Sequence, residues 1–436
     1  MRAYPAVVQK IPAQGRAPDD ILADLRGRQA DDTDWRRGRV FSLVYHAGDA
    51  HEDLVKRAHA TYASANLLNP MAFKSLKQLE KELVEMAGGL MHGSGVVGTV
   101  TSGGTESILC AVAAYRDRAK KWWPELVVPR TIHPAFDKAA HYFGVRLVKV
   151  DVKDDLRADV RAMAKKISRR TIGLVASAPQ YPHGVVDPIA ELGEVAQKHG
   201  LPLHVDACVG GFVLPWLEKL GRPVPRWDFR VPGVTSISAD LHKFGYAGKG
   251  ASLLLWRSLA DLKHQIFVAT EFPGGIYASP TMIGTRPGGP IAAAWAALQG
   301  QGEQGYLALA NEAAMAADRL RTGIRALGLR VLPSDSTIVS YTGPSVFALA
   351  DQLEARGWSV DRMHRPEAIH LTVTANHAPI VDDYLADLGA ALAAVRANPH
   401  LAKEGSAPMY GMAAKLPVRR LVAHNVRKMI AEMYAP

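Results

Sequence analysis

The apolar positions along this 436-residue chain change their period as the chain proceeds. Early on they recur at helical spacing. Residues 51–63 read as one helix and residues 75–90 as a second, with Leu76, Leu79, Leu83 and Met86 on one face. From Val96 the pattern turns to short apolar runs of strand length, separated by helical stretches. Strands are predicted at 96–101, 126–128, 146–150, 172–177, 203–205, 235–238 and 252–256, with helices such as 106–120 and 190–199 between them. This alternation predicts a mostly parallel sheet covered by helices on both faces. Residues 290–327 are Ala-rich and helical, with a break expected near 300–305. The remainder gives strands at 330–331, 338–341 and 369–374 and helices at 346–356 and 379–397. The expected organisation is an N-terminal segment (1–75), a large α/β domain (76–310) and a smaller α+β domain (311–436). Pro5, Pro12 and Pro18 predict an extended or mobile start. A last helix carries Val422, Val426, Met429, Ile430 and Met433 on one stripe, expected to pack against the rest of the chain.

Composition changes this picture little. Hydrophobic residues make up 48% and charged residues 22%, enough for a sizeable core without disulfide or metal staples. The formal charge is +10, yet the 52 Lys and Arg are spread along the chain with acidic residues between them. No basic run interleaved with aromatics suggests a nucleic-acid module, so the charge points to anionic small molecules. Cys110 and Cys208 lie in apolar sequence, outside any zinc-ligand spacing, and read as buried thiols in a reducing compartment. The first twenty residues contain no apolar core of a secretory signal, and no apolar run reaches membrane-spanning length, so a cytoplasmic protein is expected.

Four local features carry chemistry. Thr101-Ser102-Gly103-Gly104-Thr105-Glu106-Ser107 falls between a predicted strand and helix. Free N–H groups at such a helix start attract an anion, and Thr105 can cap the helix or bond a phosphate. His133 begins a helix after a strand, where its imidazole can cap that helix or stack on a flat ring. Asp206 ends a predicted strand, the position that faces the ligand crevice of an open α/β sheet. Lys243, in Asp240-Leu241-His242-Lys243, follows another strand end. A lysine there can bond a carbonyl carbon if burial and nearby positive charge lower its pKa. Each feature alone reads equally as an ordinary turn, cap or loop residue. Their order within one domain is the layout of aspartate-aminotransferase-like (fold type I) enzymes that use pyridoxal 5′-phosphate (PLP).

With these residues in hand, the chain resembles the sphingosine-1-phosphate lyase family, within the PLP-dependent group II decarboxylase superfamily. The resemblance rests on TSGGTES (101–107), QYPHGVVDP (180–188), PLHVDACVGGF (202–212), DFRVPGVTSISADLHKFGYAGKGAS (228–252) and GGIYASPTMIGTRPGG (274–289), and returns more weakly at Met409-Tyr410-Gly411-Met412. It implies that Lys243 carries PLP, that Asp206 pairs with the ring nitrogen and that His133 stacks on the ring. Gly104, Thr105 and His242 are implied as phosphate ligands, with Thr285 reaching that phosphate from a partner chain. Tyr45, Asn66, Lys249 and Tyr277 match substrate-side positions, and Tyr181 is expected to reach in from the second subunit of a homodimer. The implied activity is retro-aldol cleavage of a phosphorylated long-chain base. Lys249, Tyr277 and a substrate phosphate oxygen are candidate bases, and amino-acid decarboxylation is the alternative activity. Two departures stand out. The family's N-x-x-H is Asn66-Leu67-Leu68-Asn69 here, so Asn69 replaces a phosphate-binding histidine, and Y-A-P-K-G is Tyr246-Ala247-Gly248-Lys249-Gly250.

Overall fold

The fold is described from a computed structural model, over residues 10–407 and 419–434. The Met409–Met412 motif lies outside the described residues. Seven strands form the main sheet: β1 (Val97–Thr101), β2 (Glu125–Pro129), β3 (Arg146–Val150), β4 (Thr171–Ser177), β5 (Leu203–Asp206), β6 (Val234–Ala239) and β7 (Ser252–Trp256). Their spatial order is β1-β7-β6-β5-β4-β2-β3. All neighbours run parallel except β7, which is antiparallel to both β1 and β6.

The strand sequences explain why both faces are covered. In β7, Leu253 and Leu255 enter one core while Leu254 and Trp256 enter another. In β4, Leu174 and Ala176 face the first core, and Ile172 and Val175 the second. Side chains alternate across a strand, so runs apolar at every position need a helical layer on each side. Each fully buried leucine or isoleucine contributes about 1.5–3 kcal/mol.

A hairpin of β8 (Phe267–Ala269) and β9 (Tyr277–Ser279) follows. The Gly288–Ala326 helix then connects two cores: Ile291, Ala293 and Ala297 belong to the sheet core, and Ala317, Leu320 and Ile324 to a separate one. It breaks at Gly302 (φ 58°, ψ −178°), inside the interval where a break is expected. The second core packs an antiparallel sheet in the order β10-β11-β13-β12, from β10 (Arg330–Val331), β11 (Ile338–Thr342), β12 (Asp361–His364) and β13 (Glu367–Thr372), against the Val346–Glu354 and Val381–Ala397 helices.

Two expectations need correction, and one segment does more than its sequence suggests. The supposedly extended start contains a helix, Pro18–Arg28. Pro18 opens it, Asp19 and Asp20 occupy its first turn and Arg26 and Arg28 its last, all favourable to the helix dipole. None of its residues is buried, so no apolar stripe marks it. The N-terminal segment is also more than a lead-in. Phe41 enters the small core, stacks on His377 at 4.4 Å between centroids and accepts the Thr372 N–H at 2.8 Å. Last, the Arg419–Glu432 helix does form, but Val426, Met429 and Ile430 of its stripe stand exposed rather than packed on the chain.

Candidate active site

Strand β1 ends at Thr101 and the chain enters the Gly104–Ala119 helix through Ser102 and Gly103. Position 104 has to be glycine: a Cβ there would lie 2.6 Å from Cys208 Sγ and 2.8 Å from Asp240 Oδ1. No side chain caps the helix, so Thr105 stands in its first turn without the capping role open to it from sequence. Glu106, buried, instead accepts the Ser102 N–H (2.6 Å) from the preceding turn and the Met282 and Ile283 N–H groups (2.8 and 3.0 Å). The uncapped first turn is a ready anion site.

At the end of β5, Asp206 is 7% exposed, and its Oδ1 accepts the Cys208 N–H at 3.1 Å and the Ser238 hydroxyl at 3.3 Å. At the end of β6 the chain coils through consecutive turns: the Lys243 N–H donates to the Asp240 carbonyl (3.3 Å) and the Tyr246 N–H to the Lys243 carbonyl (2.8 Å). These turns fold Lys243 back, so that its Nζ pairs with Asp240 Oδ2 at 2.9 Å. Burial is the largest single influence and would lower the lysine pKa, but the Asp240 charge and hydrogen bond, with smaller contributions from Cys208 and Tyr45, together outweigh it and the pKa is raised. The expected lowering is thus reversed by a carboxylate three residues upstream. Asp240 in turn is held below the usual carboxylate range: burial would raise it, but Lys243, His242 and Ser252 together overcome that.

Gly104, Thr105, His133, Asp206, His242 and Lys243 all line one cavity of about 380 Å³. His133 Nδ1 accepts the Ala135 N–H at 3.1 Å at the start of the following helix, and the residue lines the cavity. His242 Nδ1 accepts the Ala251 N–H at 3.2 Å. Tyr181 lines the cavity of its own chain, donating to Asp361 Oδ2 at 2.6 Å, where the sequence suggested a reach from a second subunit.

The remaining expected residues lie outside this lining. Lys249 Nζ donates to the His242 carbonyl (3.1 Å) and sits 5.1 Å from the Tyr45 ring centroid. Burial, then the nearby Lys243 charge, bring the Lys249 pKa down to about 8, and burial pushes the Tyr45 hydroxyl up to about 12. Asn66 Oδ1 accepts the Leu68 and Arg286 N–H groups, both at 3.0 Å, tying its turn to the 281–287 loop. Asn69 Oδ1 accepts the Met71 and Ala72 N–H groups at 3.1 and 3.2 Å. Tyr277 belongs to β9, and Thr285 is exposed on the loop after it. Sequence reasoning missed two residues that shape the site, Asp240 and Glu106. The signal for Asp240 was its place beside His242 and Lys243 at a strand end; nothing in the spacing marked Glu106.

Among the described residues, one cluster has ligand atoms close enough for a metal: His46, Asp49 and Glu52, within 4.8 Å of one another. Arg36 already pairs with Asp49 (3.0 Å) and Glu52 (2.9 Å), and Lys56 with Glu52 (2.7 Å), so the cluster reads as an ion-pair network.

The cavity fits PLP. Its volume suits a small cofactor, and it carries an uncapped helix start, a strand-end carboxylate and a partly buried amine among its lining residues. The pyridoxal-dependent decarboxylase conserved domain matches residues 12–340. Fold and site together define a PLP-dependent enzyme of fold type I. The chain is 42% identical to a sphingosine-1-phosphate lyase of Arabidopsis thaliana, over 92% of this chain and 77% of that protein. A rat counterpart, sphingosine-1-phosphate lyase 1, is 39% identical over 98% and 77%. The solved sphingosine-1-phosphate lyase of Burkholderia pseudomallei superposes with a TM-score of 0.86 at 36% identity, covering 90% of this chain and 94% of that one. The chain belongs to the sphingosine-1-phosphate lyase family of pyridoxal-dependent decarboxylases.

Proposed function

We propose that this enzyme cleaves a phosphorylated long-chain 2-amino-3-hydroxy base, such as sphingosine 1-phosphate, between C2 and C3, giving a fatty aldehyde and phosphoethanolamine. The observation that carries the reading is the single cavity shared by Asp206, Lys243 and the uncapped Gly104 turn. When bound, PLP supplies a protonated ring that draws off the electron pair left at the carbon next to the substrate nitrogen. Asp206, buried and aimed by two hydrogen bonds, would keep the ring nitrogen protonated. Gly104, Thr105 and His242 would hold the cofactor phosphate, His133 would cover the ring face, and Lys243 would bond the cofactor and yield it to the substrate amine. The C3 hydroxyl must lose a proton as the bond breaks. Lys249 suits that task best, because an amine with a pKa of about 8 exists partly as free base near neutral pH. Tyr45 and Tyr277 would orient the substrate phosphate, and that anchoring selects the bond aligned for cleavage.

The test is incubation with PLP and sphingosine 1-phosphate and detection of long-chain aldehyde. Lys243→Ala should abolish both the visible absorption of the bound cofactor and the aldehyde. A wild-type protein that stays colourless with PLP, or that releases CO₂ from an amino acid and no aldehyde from the phosphorylated base, would defeat the reading.

We further infer a homodimer with shared sites. Phe267, Phe272 and Ile276 on the β8–β9 hairpin are exposed apolar residues next to the exposed Thr285 loop, a surface suited to burial against a second copy. Light scattering at micromolar concentration checks it. The domain division at about residues 75 and 310 is likewise our reading, with the small domain borrowing Phe41 from the N-terminal segment. Among the described residues, no helix is long and apolar enough to cross a membrane. The two free, buried thiols suit the reducing cytoplasm we assign to the protein.

A further inference from the structure

Two carboxylates end neighbouring strands at this site, and they are not equivalent. Both line the cavity, but Asp206 is tied by two hydrogen bonds. Asp240 is 2% exposed, with Oδ2 on the Lys243 amine at 2.9 Å and Oδ1 without a hydrogen-bond partner among the described residues. Both Asp240 oxygens lie under 3 Å from where a Cβ on Gly104 would stand, so the Asp240–Lys243 pair sits against the helix start implied as the phosphate site.

We propose that Asp240 is a positioning residue for cofactor capture: it holds the Lys243 amine against the Gly104 turn, and separation of this pair frees the amine to bond the cofactor aldehyde. The inference rests on the reading that Lys243 is the cofactor-bonding residue. An ammonium has no lone pair, so Lys243 must first shed a proton. Its nitrogen then bonds the aldehyde carbon, the carbon–oxygen double bond gives way, and the oxygen leaves as water with that proton and a second one from the nitrogen. The nitrogen keeps one proton and the positive charge, so atoms and charge balance. Asp240 opposes the first event, because its carboxylate favours the charged amine.

The other groups facing the pair do not substitute for it. Burial drives the Cys208 thiol pKa well up and the Tyr45 hydroxyl to about 12, so neither supplies negative charge near neutral pH. His242 lies 3.7 Å from Asp240 Oδ2, with its pKa lowered first by burial. Lys249 adds positive charge nearby, and Asp206 lines the same cavity.

The experiment mixes cofactor-free protein with PLP from pH 6 to 9 and follows growth of the visible band in wild type and Asp240→Asn. The isosteric amide removes the charge, leaving burial to lower the lysine pKa. Each unit of lowering raises the free-amine fraction about tenfold. The variant should therefore capture PLP at least about tenfold faster at pH 6, and the advantage should hold as pH rises until it passes the variant's own lysine pKa, narrowing only above that point. Equal rates at every pH, or a uniform slowing with the wild-type pH slope, would overturn the proposal. If the variant does not fold, timed acetylation of the cofactor-free wild type decides: Lys243 should react more slowly than exposed lysines at pH 8, and equal or faster reaction refutes it. A wild type that never develops the band would instead sink the assignment of Lys243 itself.

Discussion

The cofactor side and the substrate side of this site are built differently. Asp206, Asp240 and Lys243 stand at or just after the ends of β5 and β6, are held by hydrogen bonds or an ion pair, and rest on strands buried at every position but Thr235. Asn66, Asn69, Lys249, Tyr277 and Thr285 sit on turns, a short hairpin and a loop, and none lines the cavity that holds Asp206 and Lys243. A rigid frame suits groups that must grip a ring in one orientation. Loops suit groups that meet a variable substrate and that a partner chain can complete. Substitutions on the frame should therefore alter cofactor capture and chemistry, and substitutions on the loops should alter substrate affinity, except at Lys249, which also serves as the proposed base.

The largest effect after loss of Lys243 belongs to Asp206. Asp206→Asn keeps the shape and both hydrogen bonds but removes the charge that would keep the ring protonated. Aldehyde production should fall at least ~100-fold, the scale of losing one preorganised electrostatic partner. The variant should still show a visible band with PLP, shifted in position. A variant with near-wild-type activity would break the distinction between frame and loops. Lys249 comes next. With a pKa of about 8, it becomes free base as pH rises through 8. Wild-type kcat should therefore climb between pH 7 and 9, and Lys249→Met should lose both that climb and ~100-fold or more in kcat. A retained climb would move the base elsewhere, with Tyr277 the next candidate.

The two sides also differ in how far they could be read from sequence. The central strands were found within a residue or two, because a run apolar on both faces has few alternatives to a covered parallel sheet. Strand-end placement then followed, and with it Asp206, Lys243 and the Gly104 turn. The β8–β9 hairpin escaped notice because its strands are three residues long and Phe267 and Val268 are exposed, leaving no alternation to see. The Asp240–Lys243 pair depends on the turns that fold residue 243 back, and local composition carries no record of that return path. Phe41 joined the small core from more than three hundred positions away in sequence, through a bridge between Val40 and Ser359 that no local pattern encodes.

The smallest expected effect tests the loop side most directly. Asn69 already commits its Oδ1 to the Met71 and Ala72 N–H groups, so only its amide NH₂ can face an incoming phosphate. A neutral histidine there could accept one of these N–H groups through Nδ1 and present Nε2–H outward; when protonated it gives up that acceptor role and adds charge. An imidazole with an ordinary pKa of about 6.5 is mostly charged at pH 6 and mostly neutral at pH 8. Asn69→His should thus lower KM for phosphorylated substrate by roughly 3–10-fold at pH 6 and by much less at pH 8, the scale of a charge-assisted hydrogen bond weakened by solvent. The turnover number should stay near wild type at both values, since the residue would meet the phosphate and not the breaking bond. A KM unchanged at both pH values would show that this turn no longer faces the substrate phosphate, and the substrate side of the comparison would then rest on Tyr45, Lys249 and Tyr277.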